Sequence, residues 1–130
     1  MLDFFSGLAV NALGYNHPKI LTAINQQISK YNHLSNYYLN PAQIELAELL
    51  LKYSDMCGVF FTNSGTEAIE AALKLIRKKH GPNEQVISFT NSFHGRSYGA
   101  LSLSGKMKYK EAFRPLLPNI KQIKFNDVQE

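Results

Sequence analysis

The chain has 130 residues, of which 45% are hydrophobic and 18% are charged. This composition predicts a soluble globular protein with a core of ordinary domain size and excludes a disordered chain. No apolar run is long enough to span a bilayer, and the first residues lack the basic start of a signal peptide, so neither membrane insertion nor secretion is expected. The net charge of +4 is too mild to indicate a nucleic-acid partner, and the four histidines have no metal-ligand spacing.

The single cysteine, Cys57, cannot form an internal disulfide. A chain without disulfides suits a reducing compartment, and we expect the cytoplasm. The thiol lies just ahead of a predicted strand, where a buried structural role is expected in preference to a reactive one.

The first forty residues predict a short strand, a loop and a helix. Residues 1–10 are an apolar run that favours a strand turning at Gly7, and residues 11–18 have the Asn, Gly and Pro content of a loop. Pro18 suits the first position of a helix that runs to about Lys30 with one apolar face. Residues 31–39 are polar and aromatic without a clear period, and a connecting loop of this length is usually functional.

A second helix is predicted to begin after Asn40. Asn40 can cap this helix, Pro41 suits its first position and Gln43 completes a capping box. Apolar residues then recur at helical spacing and are expected to face inward: Ile44, Ala47, Leu50 and Leu51.

Residues 59–68 predict a strand, a tight turn and the start of a helix that runs to about His80. Val59, Phe60 and Phe61 suit a strand covered on both faces. Ser64 is a good N-cap, and Glu67 three residues later completes a capping box with it.

The turn between this strand and helix has the features of an anion site. The backbone N–H groups of Gly65 and Thr66 are free at the positive end of the helix, and the missing side chain of Gly65 would admit a phosphate. The hydroxyls of Ser64 and Thr66 can also donate. A well-capped crossover helix with nothing bound is the alternative, because capping boxes are common.

Further strands and helices follow. Residues 85–89 predict a second buried strand, parallel to the strand at 59–61 through a right-handed crossover. Residues 96–103 are expected to be helical, and a short amphipathic helix is expected at 106–113, with alternate lysines on a solvated face.

The last part of the sequence predicts a third strand at residues 120–125. Asn126 is then an N-cap candidate followed by acidic residues, so residues 126–130 predict the start of a helix. A helix that begins at the last residues leads us to expect a piece of a longer protein.

Three motifs in this order resemble those of class III aminotransferases, which use pyridoxal phosphate. DFFSGLAVNALGYNHP (residues 3–18) resembles the N-terminal signature, NSGTEAIEAALKL (63–75) the phosphate-binding turn and helix, and SFHGR (92–96) the segment over the cofactor ring. The resemblance implies an α/β fold, the N-terminal part of the large domain of an aspartate-aminotransferase-like fold, with a parallel-rich sheet and flanking helices. It implies that residues 1–40 form an arm, small-domain and interface segment, and residues 41–130 an incomplete cofactor-binding large domain.

Within this class, residues 93–96, 99–102 and 113–116 most resemble the acetylornithine aminotransferases. The resemblance implies transfer of the amino group of N-acetylornithine to 2-oxoglutarate in arginine biosynthesis, by a homodimer with residues 31–39 near its interface. Ornithine, succinylornithine and 4-aminobutyrate aminotransferases are the alternatives. One departure is Ile69, where the family more often has Asn; it is expected to alter helix packing and not phosphate contact.

The resemblance implies a role for five residues. Gly65 and Thr66 would bind the cofactor phosphate, with Ser64 as a supporting cap. Phe93 would stack on the pyridine ring, because a planar cofactor needs an apolar face; the alternative is an ordinary core aromatic. Arg96 would hold a substrate carboxylate through paired hydrogen bonds; the alternative is a surface arginine on a short helix. His94 is expected to be structural.

The resemblance also implies that two catalytic parts are absent from this sequence. The family's Schiff-base lysine and the Asp that pairs with the pyridinium nitrogen would lie beyond Glu130, and no lysine here has the setting of the first. We therefore expect no transaminase activity from this chain alone. Two further hypotheses stay open: an interaction or regulatory domain that kept the fold, and an unrelated α/β module that binds another phosphate.

Overall fold

A computed structural model of the chain describes residues 2–129. The chain divides into two compact units, the first ending at Val59 and the second beginning at Phe60. The division at residue 40 that the resemblance implies stays a prediction. No helix in residues 2–129 combines the length and the apolar character needed to cross a bilayer.

The first unit opens with a single left-handed helical turn, α1 (Ser6–Ala9), so the strand expected in residues 1–10 is wrong for residues 2–10. Met1 lies outside the described residues. The residues of α1 have φ between 49° and 65°. The Asp3 carboxylate explains the turn, because it accepts hydrogen bonds from the N–H groups of Phe5 and Gly7, both at 2.8 Å, and from the Tyr15 hydroxyl. The hydrogen bond from Tyr15 is the chief cause that lowers the pKa of Asp3.

Two regular helices complete the first unit, α2 (Pro18–Lys30) and α3 (Pro41–Lys52). Both begin at the predicted proline. The Asn40 side chain caps α3 by accepting a hydrogen bond from the Gln43 N–H at 3.4 Å, as predicted. Cys57 is exposed, so the expectation of a buried thiol is wrong.

The second unit has a long helix, α4 (Gly65–His80), a short helix, α5 (Tyr98–Leu103), and two strands, β1 (Val86–Phe89) and β2 (Ile120–Ile123). The strands are parallel, with Val86 opposite Ile120 and Phe89 opposite Ile123. The buried apolar side chains belong to α4 and α5: Leu73, Ala100, Leu101 and Leu103. The core of this unit therefore lies where α4 meets α5.

The strand predicted at residues 59–61 is wrong, and with it the parallel pair predicted for residues 59–61 and 85–89. These residues form no strand, and Phe60 is 79% exposed. A strand requires a hydrogen-bonded neighbour, and within residues 2–129 the strand that β1 pairs with is β2. β1 itself is not covered on both faces, because Ile87 and Phe89 are exposed while Ser88 is buried.

The helix predicted at residues 106–113 is replaced by two short 3₁₀ turns, Met107–Tyr109 and Glu111–Phe113. Lys110, expected on a solvated face, is only 7% exposed, and its Nζ donates to the Ser102 carbonyl at 2.9 Å. This bond satisfies a carbonyl in the last turn of α5, as cations commonly do. Burial, followed by the nearby Arg114 charge, lowers the pKa of Lys110.

The helix predicted from Asn126 onward does not form in residues 126–129, which make turns. Asn126 has a φ of 62°, outside the helical region, and the Asp127 carboxylate accepts a hydrogen bond from the Gln129 N–H at 3.1 Å. The remainder of that prediction, Glu130, lies outside the described residues.

Candidate functional site

The turn ahead of α4 has the predicted cap, with one difference. The Ser64 Oγ accepts a hydrogen bond from the Glu67 N–H at 3.3 Å, as an N-cap should. The Glu67 carboxylate does not reach back to the Ser64 backbone N–H as in a full capping box; it accepts from the Ser64 hydroxyl at 3.1 Å. The Thr62 hydroxyl adds a bond to the Ser64 carbonyl at 3.0 Å. The Ser64 hydroxyl is thus engaged in shaping the turn.

Gly65 and Thr66 present the free donors of this turn. Of the first four N–H groups of α4, those of Glu67 and Ala68 bond to Ser64, whereas those of Gly65 and Thr66 have no acceptor among residues 2–129. A Cβ placed on Gly65 would meet nothing within 4 Å, so the space in front of these groups is open. Free N–H groups at the positive end of a helix dipole favour an anion.

The loop between β1 and α5 packs directly on this turn through Gly95. Gly95 is buried and has a φ of 131°, a conformation that L side chains rarely adopt. A Cβ at this position would overlap the Thr66 side chain, lying 2.9 Å from the Thr66 Cβ. The absence of a side chain at Gly95 therefore lets the predicted ring segment approach the predicted phosphate turn.

Phe93 and Arg96, on either side of Gly95, share a cavity of about 510 Å³. The Phe93 side chain is 67% exposed among the described residues, so its ring is open to a ligand in this cavity. The cavity wall is rich in aromatic side chains and contains a second cation: its other residues include Tyr98, Lys106, Tyr109 and Phe113. A planar aromatic ligand with a negative group matches such a wall.

The structure brings some of the predicted site residues together and not others. Thr66 lies against Gly95, and Phe93 and Arg96 line one cavity. Ser64, Gly65 and Thr66 are all absent from the lining of that cavity, which includes Gly95. The turn and the cavity are thus connected through Thr66 and Gly95.

The loop is also fixed from its other side. The His94 N–H donates to the Ser104 hydroxyl at 3.3 Å, and the Gly105 N–H donates to the Ser92 carbonyl at 2.9 Å. The His94 Nε2 is buried and has no hydrogen-bond partner within residues 2–129. These bonds hold the backbone around Phe93 from the C-terminal end of α5.

Glu70 is a site-forming residue that sequence reasoning missed. Its carboxylate accepts hydrogen bonds from the Ser97 hydroxyl and from the Ala100 N–H, the latter at 3.1 Å. The Ser97 bond, with help from the Ala100 N–H, lowers the pKa of Glu70 despite partial burial. Glu70 thus caps α5 from a different helix, and no local pattern could have revealed a capping partner 27 residues away.

Comparisons with known proteins place this geometry in a family. The sequence profile of the family "Aminotransferase class-III" matches residues 1–130. The chain is 52% identical over 134 residues to acetylornithine aminotransferase of Clostridium acetobutylicum, covering 99% of this chain and 35% of that protein. It is 50% identical over 132 residues to acetylornithine aminotransferase of Aquifex aeolicus, covering 98% of this chain and 35% of that protein.

The structure is similar to that of an ornithine aminotransferase from Toxoplasma gondii, which has pyridoxal phosphate at partial occupancy in its active site. The TM-score is 0.87 at 26% identity, over 98% of this chain and 32% of that one. This likeness, with the parallel strands and flanking helices of the second unit, confirms the aspartate-aminotransferase-like α/β fold. The chain spans about a third of the length of these relatives, and it belongs to the class III aminotransferases.

Proposed function

We propose that this chain supplies the cofactor-anchoring part of a pyridoxal-phosphate-dependent transaminase that moves the amino group of N-acetylornithine to 2-oxoglutarate in arginine biosynthesis. The contact between Thr66 and Gly95 carries the proposal, because it joins an open anion site to a cavity that contains an aromatic ring and a guanidinium. The names of the two relatives from Clostridium acetobutylicum and Aquifex aeolicus support the choice of amino donor.

The residues of the site fit the cofactor. A phosphate dianion suits the unpartnered N–H groups of Gly65 and Thr66 and the open space beside Gly65. A pyridine ring suits the exposed face of Phe93. When bound, pyridoxal phosphate supplies the electron sink of transamination, while the protein supplies binding and orientation.

Each residue then has a distinct part in orienting the reactants. Gly65 and Thr66 hold the phosphate, Ser64 keeps the turn in shape, and Phe93 covers one face of the ring. Arg96 binds a substrate carboxylate, for which a planar guanidinium with paired donors is better suited than an ammonium group. We assign no proton transfer to any side chain of this sequence.

The complete transaminase is proposed to be a cytoplasmic homodimer with residues 31–39 near the subunit interface. Alone, the 130-residue chain is proposed to be inactive, because none of its lysines belongs to a motif of the Schiff-base type. A measurable rate of amino transfer by the purified chain would contradict this part of the proposal.

Ornithine is the second candidate amino donor, and the likeness to the Toxoplasma gondii ornithine aminotransferase favours it. The test is a comparison of kcat/KM for N-acetylornithine, ornithine and 4-aminobutyrate, with 2-oxoglutarate as acceptor, on the whole polypeptide that the gene encodes. The proposal expects N-acetylornithine to have the highest value. A higher value for ornithine would identify ornithine as the amino donor in place of N-acetylornithine.

A further inference from the structure

Two contacts connect α4 to the loop that contains Phe93 and Arg96. Near the start of α4, the Thr66 side chain lies against Gly95. One turn later, the Glu70 carboxylate accepts hydrogen bonds from the Ser97 hydroxyl and the Ala100 N–H. Residues four apart project from the same face of a helix, so a single face of α4 makes both contacts.

These two contacts bracket Arg96. Gly95 and Ser97 are its immediate neighbours in the chain, and each is fixed to α4. Arg96 itself is exposed and lines the cavity together with Phe93. The helix that presents the phosphate donors at its first turn therefore also contacts the residues on both sides of Arg96.

Gly99 makes room for the Glu70 carboxylate against α5. A Cβ on Gly99 would lie 2.8 Å from the Glu70 Cδ and closer still to its oxygens. The N-cap residue Ser97 makes no capping bond with its own side chain, so the Ala100 N–H in the first turn of α5 depends on Glu70 for its acceptor. The hydrogen bonds from the Ser97 hydroxyl and the Ala100 N–H stabilise the ionised form of the Glu70 carboxyl and lower its pKa.

We propose that Glu70 is a positioning residue that sets the distance between the phosphate turn and the segment of Phe93 and Arg96. The proposal rests on the proposed function, since it assumes that a cofactor phosphate lies at Gly65 and Thr66 and its ring at Phe93. Glu70 is absent from the lining of the cavity. It acts by holding Ser97 and the start of α5 on the helix that binds the phosphate.

The test compares two ligands of the whole polypeptide that the gene encodes, inorganic phosphate and pyridoxamine phosphate, by isothermal titration calorimetry of the cofactor-free protein. Pyridoxamine phosphate is used because its amine, unlike an aldehyde, does not react with lysines. The variants are Glu70→Gln and Gly99→Ala, and the matched control is Glu84→Gln, which removes an exposed carboxylate elsewhere in the same unit. Gly99→Ala retains the charge of Glu70 but displaces its carboxylate, and the displaced group is the end of a flexible side chain, so the variant is expected to fold.

The substitutions are expected to change the affinities for the two ligands differently. The affinity of both variants for inorganic phosphate should stay within about twofold of that of the unmodified protein, because the turn is intact. Their affinity for pyridoxamine phosphate should fall about tenfold, because the ring contact is misplaced. Glu84→Gln should bind both ligands unchanged. If Glu70→Gln fails to fold, Gly99→Ala decides the question.

Two results would overturn the inference while leaving the proposed function in place. One is unchanged affinity for pyridoxamine phosphate in both variants. The other is an equal loss of affinity for both ligands, which would mean that Glu70 only maintains the fold. If the unmodified protein gains nothing from the ring of pyridoxamine phosphate over phosphate alone, the proposed function fails, and this inference fails with it.

Discussion

Gly95 is the residue on which the contact between the loop and the phosphate turn depends, because its φ of 131° and its proximity to Thr66 both exclude a side chain. We predict that Gly95→Ala lowers the free energy of unfolding by about 1–3 kcal/mol through backbone strain alone, and further through the overlap with Thr66. Urea denaturation measures the change.

The matched control for that change is Gly58→Ala. A Cβ at Gly58 meets nothing within 4 Å, so its effect should stay within about 0.5 kcal/mol. Equal stability of the two variants would contradict the contact between Gly95 and Thr66.

For single residues, the sequence predicted which backbone groups are free to bind a ligand better than it predicted which side chains are buried. The free N–H groups of Gly65 and Thr66 followed from local capping rules, which need only adjacent residues. The exposure of Cys57 and the burial of Lys110 were missed, because the burial of a side chain depends on distant residues. Glu70 was missed for the same reason, since its partners belong to α5.

The N-terminus of α4 is the element that shapes the anion site, and Ser64 is its cap. Ser64→Ala should lower the free energy of unfolding by about 1 kcal/mol, because the Glu67 N–H loses its acceptor. The control is Ser54→Ala, an exposed serine outside any helix, which should have a negligible effect. A Ser64→Ala variant as stable as this control would show that the cap contributes nothing.

The packing of α4 on α5 should depend on pH through Glu70. Its pKa is lowered in the folded chain, first by the Ser97 hydroxyl and then by backbone N–H groups. The ionised carboxylate therefore adds stability that is complete above the unfolded pKa of a glutamate, about 4.3, and is lost as the pH falls through the folded value.

Unfolding free energies of the unmodified chain and of Glu70→Gln, measured at about pH 7 and about pH 3, test this dependence. The difference between the two proteins should be larger at the higher pH. A difference that does not change with pH would contradict the role of the charged form.

Helices were predicted more accurately than strands for a physical reason. The starts of α2, α3 and α4 are set by Pro18, Pro41 and Ser64, which act on neighbouring residues. Strand formation at residues 59–61 needs a partner that the sequence does not identify. The 3₁₀ turns at residues 107–113 likewise depend on the long-range bond from Lys110 to Ser102.

The molecule as a whole exposes an unusual amount of apolar surface. Large apolar side chains that are more than two thirds exposed occur in both units, including Phe4, Leu39, Met56, Phe60 and Phe125. Surfaces of this kind promote association, so we predict that the 130-residue chain self-associates at micromolar concentration. Sedimentation velocity at several concentrations tests this, and a clean folded monomer throughout would contradict it.

Class and fold could be predicted from the sequence at this scale, because three motifs in the family order span residues 3–96. The sequence could not predict what covers the apolar faces of α2 and α3. Within residues 2–129, neither helix contains a buried residue. Their apolar periodicity predicted an inward face, but Ile44 and Leu50 are exposed, so that expectation is wrong for these two residues; periodicity does not identify what covers an apolar face.

The central claim is that the turn at Gly65 and Thr66 binds the cofactor phosphate while Phe93 covers the ring. The most direct test is an NMR titration of the cofactor-free whole polypeptide that the gene encodes with pyridoxamine phosphate, with Gly65→Asp as the contrasting variant. An aspartate in the first turn of α4 stabilises the helix by about 0.3–1 kcal/mol through its interaction with the helix dipole, but its charge repels a phosphate. The account predicts shifts of the Gly65 and Thr66 amides and the Phe93 ring in the unmodified protein, and none in Gly65→Asp; shifts confined to other residues, or retained in that variant, would contradict it.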